Sequence, residues 1–301
     1  MKLIADSGST KTDWSLLDEK GKVVATCYSQ GLNPYHLSDE EILCVLQEKV
    51  NKPLLAMQSV SSVFFYGSGV TDAMVPRMEK LLLQVFQNAE VHAASDMLGA
   101  ARALLGHDAG IAVILGTGSN SCFYDGEEMV TGVAPLGYIL GDEGSGTAIG
   151  KAFFRLIYRN PTAATLRERF QQWSHMDYAD VIYRIYRQPL ANTYLASVAT
   201  FVGERLAELR NETGEESEEF QLLSDMVKEV YQTFCHHVLS YYSKNAAASS
   251  SSSSPISVGF VGSIAYYFQD YISAALKENG FAMGKIMKSP MEGLMKYYGM
   301  K

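Results

Sequence analysis

Hydrophobic residues fall into short runs bounded by small polar turns through the first third of the chain, and take helical spacing through its middle. Residues 2–5 and 14–17 read as two strands joined by the turn from Asp6 to Asp13, and residues 23–28 follow as the third strand of an opening meander. Ser38, with Glu41 three residues on, forms a capping box that predicts a helix to about Val50. A strand over residues 60–66 runs into Gly67-Ser68-Gly69. A helix over about 71–87, a short strand over 91–94 and a helix over 97–105 complete a β-β-β-α-β-α-β-α order.

The pattern then restarts. Strands over residues 111–115 and 121–124 flank Gly116-Thr117-Gly118-Ser119-Asn120, and Asp125-Gly126 predicts a further tight hairpin. A helix over about 147–158 leads into a mostly helical stretch from Pro161 to Lys244, strongest over 178–187, 194–210 and 220–242. Residues 246–254 are a low-complexity Ala/Ser tract, expected as a flexible surface loop. Residues 256–261 read as a buried strand and, after Gly262-Ser263, residues 264–279 as a helix.

Composition narrows the class. With 301 residues, 47% of them hydrophobic, the chain can bury a large core and is long enough for two domains. A net charge of −8 and a pI near 5.3 argue against a broad surface for phosphate backbones, so nucleic acid is not an expected partner. Cys27, Cys44, Cys122 and Cys235 are widely separated and lack zinc spacing, as expected of reduced thiols. No signal-peptide pattern or bilayer-length apolar run is visible; a cytoplasmic protein that does not engage the membrane is expected.

The candidate chemistry lies in the turns. Gly8 permits dihedrals that a Cβ forbids, and the hydroxyls and amide N–H groups of Ser9, Thr10 and their neighbours can converge on phosphate oxygens. Asp6, at the end of the first strand, can hold magnesium through water. A plain polar hairpin turn explains the same eight residues, but a second glycine and hydroxyl turn at Gly116-Thr117-Gly118, in the equivalent place of a second half, favours a ligand. Gly141-Asp142-Glu143-Gly144-Ser145-Gly146 is either a flexible acidic loop or simply a favourable helix start. Gly262-Ser263 either admits a base or ribose close to the backbone or merely packs strand against helix. Asp96, at a strand end on the sheet edge of Asp6 and Gly67, is either a general base for a hydroxyl or a helix N-cap. P-loop, serine-hydrolase and zinc-peptidase motifs are missing.

Four motifs, Asp6-Ser7-Gly8-Ser9-Thr10-Lys11-Thr12, Gly116-Thr117-Gly118-Ser119-Asn120, Gly141-Asp142-Glu143-Gly144-Ser145 and Val261-Gly262-Ser263, occur in the order found in the N-acetylglucosamine kinase and BadF/BadG-type ATPase family of the actin-like ATPase and sugar-kinase superfamily. The chain resembles that family along nearly its whole length, especially the Bacteroidetes-type members. The resemblance implies an α/β fold of two ribonuclease-H-like domains with a nucleotide cleft between them, over residues 1–109 and 110–288, the second with a helical insertion. Residues 289–301 would pack back on the first domain.

It further implies ATP and Mg2+, with transfer of the γ-phosphoryl group to an amino-sugar hydroxyl, N-acetylglucosamine or glucosamine. Gly8, Ser9, Thr10, Lys11, Gly116, Thr117 and Gly118 would hold phosphates, Gly262 and Ser263 the adenosine, and Asp6 the metal. Asp96 would be the base; Asn33, Ser68, Asn120 and Asp142 would contact the sugar. The family's kinases carry a Trp in the segment before Gly-Asp-Glu-Gly-Ser, whereas Pro135-Leu136-Gly137-Tyr138 has none, which leaves the sugar open. Other members are ATP-hydrolysing activators, some with an iron–sulfur cluster; Cys122 approaching its mate in a homodimer is the one route to such a cluster, and no clustered cysteine motif supports it. A non-catalytic sugar or nucleotide regulator is the third possibility, which the intact Asp96 disfavours.

Overall fold

The computed structural model describes residues 1–8, 10–55, 60–242 and 255–299, and the chain divides into two compact units. One comprises Met1–Ala112, Tyr124–Val130 and Ser289–Lys301; the other comprises Val113–Phe123 and Thr131–Lys288.

The first unit is built on a five-stranded mixed sheet. Its strands β1 (Lys2–Ser7), β2 (Lys11–Leu17), β3 (Val23–Gln30), β4 (Ser62–Gly67) and β5 (Glu90–Ser95) lie in the order β3-β2-β1-β4-β5. The meander β1–β3 is antiparallel, whereas β4 and β5 run parallel to β1. Strand alternation puts Leu3 and Ala5 with Trp14 and Leu16 in one buried cluster that also holds Ile42, Met78 and Leu82. Those three belong to helices α1 (Asp39–Val45) and α3 (Val75–Val85), so the cluster covers one face of the sheet. Fully burying each such side chain is worth roughly 1.5–3 kcal/mol.

The capping box at α1 forms in both directions, with Glu41 N–H to Ser38 Oγ at 3.2 Å and Ser38 N–H to Glu41 Oε2 at 2.8 Å. The predicted straight helix does not continue to Val50. It widens into a π-helical turn, Leu46–Asn51, and then α2 (Lys52–Leu55). Lys52 N–H reaches back to Gln47 O immediately before Pro53, which has no N–H to give. Helix α4 (Asp96–Leu105) follows β5 directly.

The second sheet contains β6 (Gly110–Leu115), β7 (Ser119–Tyr124), β8 (Met129–Gly132), β9 (Ser257–Val261) and β10 (Ala282–Met287), in the order β10-β9-β6-β7-β8. After the short helix α5 (Gly137–Leu140) comes α6 (Gly146–Arg159), then α7 (Ala164–Ser174), α8 (Tyr178–Tyr186), α9 (Ala191–Glu212) and α10 (Glu218–His237). Helices α6, α7 and α9 meet through Phe153, Phe170 and Phe201, whose rings pack edge to face at 5.3–5.4 Å. The buried Arg205 is neutralised by Glu219 at 2.7 Å and Glu208 at 3.1 Å.

Two predicted helices are interrupted. Helix α10 stops at His237, and Leu239–Tyr242 forms a 3-10 turn that turns the Tyr242 hydroxyl inward to Ser121 Oγ at 2.7 Å. The segment after Gly262 is two helices, α11 (Ser263–Tyr267) and α12 (Gln269–Glu278). They are broken where Phe268 leaves helical dihedrals and buries its ring 6.4 Å from that of Tyr231. The Ala/Ser tract at 246–254 lies outside the described residues. Among the described residues, no helix is long and apolar enough to cross a membrane. Helix α13 (Met291–Tyr297), in the first unit, packs on α4.

Candidate active site

In the first unit the parallel register sets the site. Ser7 lies opposite Gly67 and Gly67 opposite Ser95, so β1, β4 and β5 end together at one edge of the sheet. The residues just beyond those ends are Gly8, Ser68 and Asp96. Carboxyl ends of parallel strands are where open α/β sheets bind ligands, because the diverging loops leave a crevice there.

Asp6 and Asp13 are register partners across the β1–β2 hairpin. Burial pushes the Asp6 carboxyl up to about 7, and the neighbouring Asp13 and Asp96 charges add to the shift; Lys11 partly offsets them. Lys11 Nζ sits 2.6 Å from Asp13 Oδ1 and 4.0 Å over the Tyr28 ring. Burial also raises the Asp96 pKa, against hydrogen bonds from the N–H groups of Met97 and Asp96 itself. The helix N-cap is Ser95, whose Oγ accepts from Leu98 N–H at 3.2 Å. Asp96 is therefore not the cap, and its carboxylate is held at the first turn of α4, where the helix dipole favours negative charge.

The turn itself is closed by Gly8 N–H to Lys11 O at 2.9 Å, with Gly8 and Thr10 exposed. Ser9 lies outside the described residues. Below the turn a buried chain runs from Leu32 N–H to Ser7 Oγ (2.9 Å), on to Thr12 Oγ1 (2.8 Å) and then to Gln30 O (2.9 Å). It fastens the following loop to the turn. That loop carries Asn33, whose Oδ1 takes Tyr35 N–H at 2.9 Å in an Asx turn. Gly69 packs against the Asn33 side chain with φ +81°, so Asn33 and Ser68 lie on adjoining loops.

The second unit brings three glycine-bearing segments together. Gly116 N–H closes the β6–β7 turn onto Gly118 O at 3.0 Å. The first N–H groups of α6, from Gly146 and Thr147, donate to Gly116 O (2.9 Å) and Thr117 O (3.2 Å). Asp142, in left-handed backbone geometry at φ +60°, accepts Ser119 N–H on Oδ1 at 3.1 Å. A Cβ on Gly118 would lie 2.8 Å from its Oδ2. Burial raises the Asp142 pKa, Ser119 and Lys151 opposing it. Gly262, at φ +124°, presses on the Leu115 carbonyl, and Ser263 begins α11.

Asn120 and Asp142 line a cavity of about 130 Å³ together with Ser119, Pro135, Leu136 and His237. Cys122 is buried.

The structure thus gathers Asp6, Gly8, Asn33, Ser68 and Asp96 in the first unit, and Gly116 to Asn120, Asp142 and Gly262 in the second. Among the described residues, no group of three or more His, Cys, Asp or Glu could hold a metal. Magnesium needs only one or two carboxylates when phosphates complete its shell, and the charge crowding at Asp6 is what a cation would relieve.

A solved structure of a Porphyromonas gingivalis protein, provisionally named N-acetylglucosamine kinase, matches 99% of this chain over 99% of its own length, with 34% identity and a TM-score of 0.84. The chain belongs to that N-acetylglucosamine kinase-like family of actin-like ATPases. The two sheets and their helices are accordingly the two ribonuclease-H-like domains of this family.

Two more distant structures share the fold. A Chromobacterium violaceum protein, also provisionally named N-acetylglucosamine kinase, covers 98% of each chain at 16% identity and a TM-score of 0.63. A ROK-family glucokinase from Streptomyces griseus, solved with glucose and AMPPNP, covers 98% of this chain and 97% of its own at 14% identity and a TM-score of 0.61. No family model and no curated protein sequence matches the chain.

Some residues of the candidate site had no role assigned by the sequence. Ser7 and Thr12, on the strands that flank the first turn, belong to its motif, yet only their burial and hydrogen bonds show that they hold the turn from beneath. Asp13 falls opposite Asp6 through hairpin register, which counting back from the turn would have found.

Proposed function

We propose that this chain is an ATP-dependent sugar kinase that transfers the γ-phosphoryl group to a hydroxyl of an amino sugar, N-acetylglucosamine or glucosamine. The observation that carries it is Asp96: a desolvated carboxylate at a strand end, released from capping by Ser95 and sharing the sheet edge with Asp6. Its family membership and the sugar kinases that share its fold point the same way.

In this reading Asp96 orients the acceptor hydroxyl and takes its proton as the phosphoryl group departs ATP. Backbone N–H groups of the Gly8 to Lys11 and Gly116 to Gly118 turns hold phosphate oxygens, and Lys11 swings from Asp13 to add a positive charge. Gly262 and Ser263 receive the adenosine. Asn33, Ser68, Asn120 and Asp142 fix the sugar hydroxyls. Asp6 would hold magnesium, which supplies charge neutralisation at the phosphates when bound. Each turn is a phosphate site of the same kind within its own unit, in an enzyme of the cytoplasm.

The substrate is tested by ADP release across N-acetylglucosamine, glucosamine, glucose and N-acetylmannosamine. Turnover strongest with the first two is expected. ATP hydrolysis indifferent to every sugar would place the chain with the ATP-hydrolysing activators instead.

A further inference from the structure

The C-terminal segment of the first unit is joined to the helix that carries Asp96 through a cluster of aromatic residues and one arginine. Tyr66, 2% exposed, stands opposite Asp6 in the β1–β4 register. Its ring is the surface on which α4 rests: a Cβ at Gly99, one turn beyond Asp96, would lie 2.7 Å from Tyr66 Cγ and 2.8 Å from its Cβ. Those atoms are at the root of the side chain and cannot swing aside. The Tyr66 hydroxyl accepts from Arg102 Nη1 at 2.7 Å, and Arg102 lies on α4 two turns beyond Asp96. The same nitrogen reaches Tyr298 Oη at 3.3 Å, and the two phenols hydrogen-bond to each other.

Tyr298 is fixed in turn. Its ring stacks on Phe64 at 3.8 Å, and its carbonyl accepts Lys2 Nζ at 2.9 Å, at the start of the strand that carries Asp6. Gly293 of α13 lies against Ala103 so closely that a Cβ would come within 2.7 Å of its Cα. Among the described residues, Arg102 Nε is buried without a hydrogen-bond partner, so the guanidinium is held at this place by its bonds to the two phenols.

We infer that Tyr66 is a positioning residue for the proposed phosphoryl transfer: its ring, latched by Arg102 and Tyr298, sets how far Asp96 stands from Asp6. The inference rests on the kinase reading. It makes the C-terminal helix part of the catalytic apparatus without contact to substrate. Tight packing transmits small shifts because a filled core has no slack to absorb them.

The decisive variant is Gly99→Ala, which lifts α4 off the ring and touches no proposed ligand. We expect kcat to fall about 100-fold, the loss a displacement near 1 Å produces, while KM for ATP and for sugar stays within about threefold. Tyr66→Phe keeps the ring under Gly99 but removes the latch, so it should lower kcat about tenfold, less than Gly99→Ala, with KM for ATP and for sugar again within about threefold. A crystal structure of Gly99→Ala should show Asp96 displaced relative to Asp6. An unmoved Asp96, or unchanged kcat in a folded Gly99→Ala protein, would overturn the inference. Should the wild-type protein turn over no sugar, the kinase reading fails by itself, and the crystallographic displacement still decides the positioning role.

Discussion

Ser119 donates its backbone N–H to Asp142 Oδ1 at 3.1 Å, which ties the acidic loop before α6 to the glycine turn after β6. Asp142 stands in left-handed geometry that few residues but Gly, Asn and Asp accept, so its place is costly to fill with anything else.

Replacing Asp142 should therefore separate two roles. Asp142→Asn keeps an oxygen for Ser119 and the tolerance of φ +60°, and should lose sugar affinity while holding ADP within about threefold. Asp142→Ala loses the anchor as well, and ADP should weaken by roughly a factor of 10, the worth of one hydrogen bond to a charged group. Calorimetric titration of ADP into both variants checks this. Equal ADP affinity in the two would show that the anchor is irrelevant to the nucleotide.

The sign of the Asp6 shift gives a pH dependence. Its carboxyl, raised from an ordinary 3.8 to about 7, binds its proton more tightly in the folded state than in the unfolded one. Stability should therefore fall as pH rises from about 4 to about 7, and Asp6→Asn should remove that slope. Because Asp6 retains some exposure, the stabilisation of the variant at pH 8 should be on the order of 2 kcal/mol rather than the full shift. Urea unfolding at pH 5 and pH 8 reads it. Magnesium with ADP favours the ionised carboxylate and should flatten the slope in the wild-type protein alone.

Gly262 is a backbone prediction. Its φ of +124° and its contact with the Leu115 carbonyl leave no room for a side chain. Gly262→Ala should destabilise the protein by about 2–4 kcal/mol, since both the strained dihedral and the displaced turn count against it. Chemical denaturation would contradict this if the midpoint were unchanged at constant slope.

Much of this architecture was legible because local chemistry agreed with the fold. The Ser38 and Glu41 box and the restart at Ile111 appear where their residues predict them, whereas the first hairpin is tighter than predicted: β1 runs on to Ser7 and β2 starts at Lys11, so Asp6 and Asp13 pair as strand residues and do not lie in the turn. Asp96 was ambiguous because Asp and Ser both cap helices, and which of two neighbours does so depends on where the first turn begins; here Ser95 takes that role. The π turn at Leu46 and the break at Phe268 escape a 3.6-residue period, since each is decided by where a hydrogen bond or a ring goes. The Tyr66 and Tyr298 contact spans 232 positions, beyond the reach of any local pattern.

Asp96→Asn tests the proposed chemistry most directly, because the amide keeps the shape and the first-turn position while removing the base. Sugar-dependent ADP release should fall by about 10²–10⁴-fold, the usual contribution of a positioned general base, with ADP and sugar affinities within a few-fold of wild type. Full turnover in Asp96→Asn would contradict it.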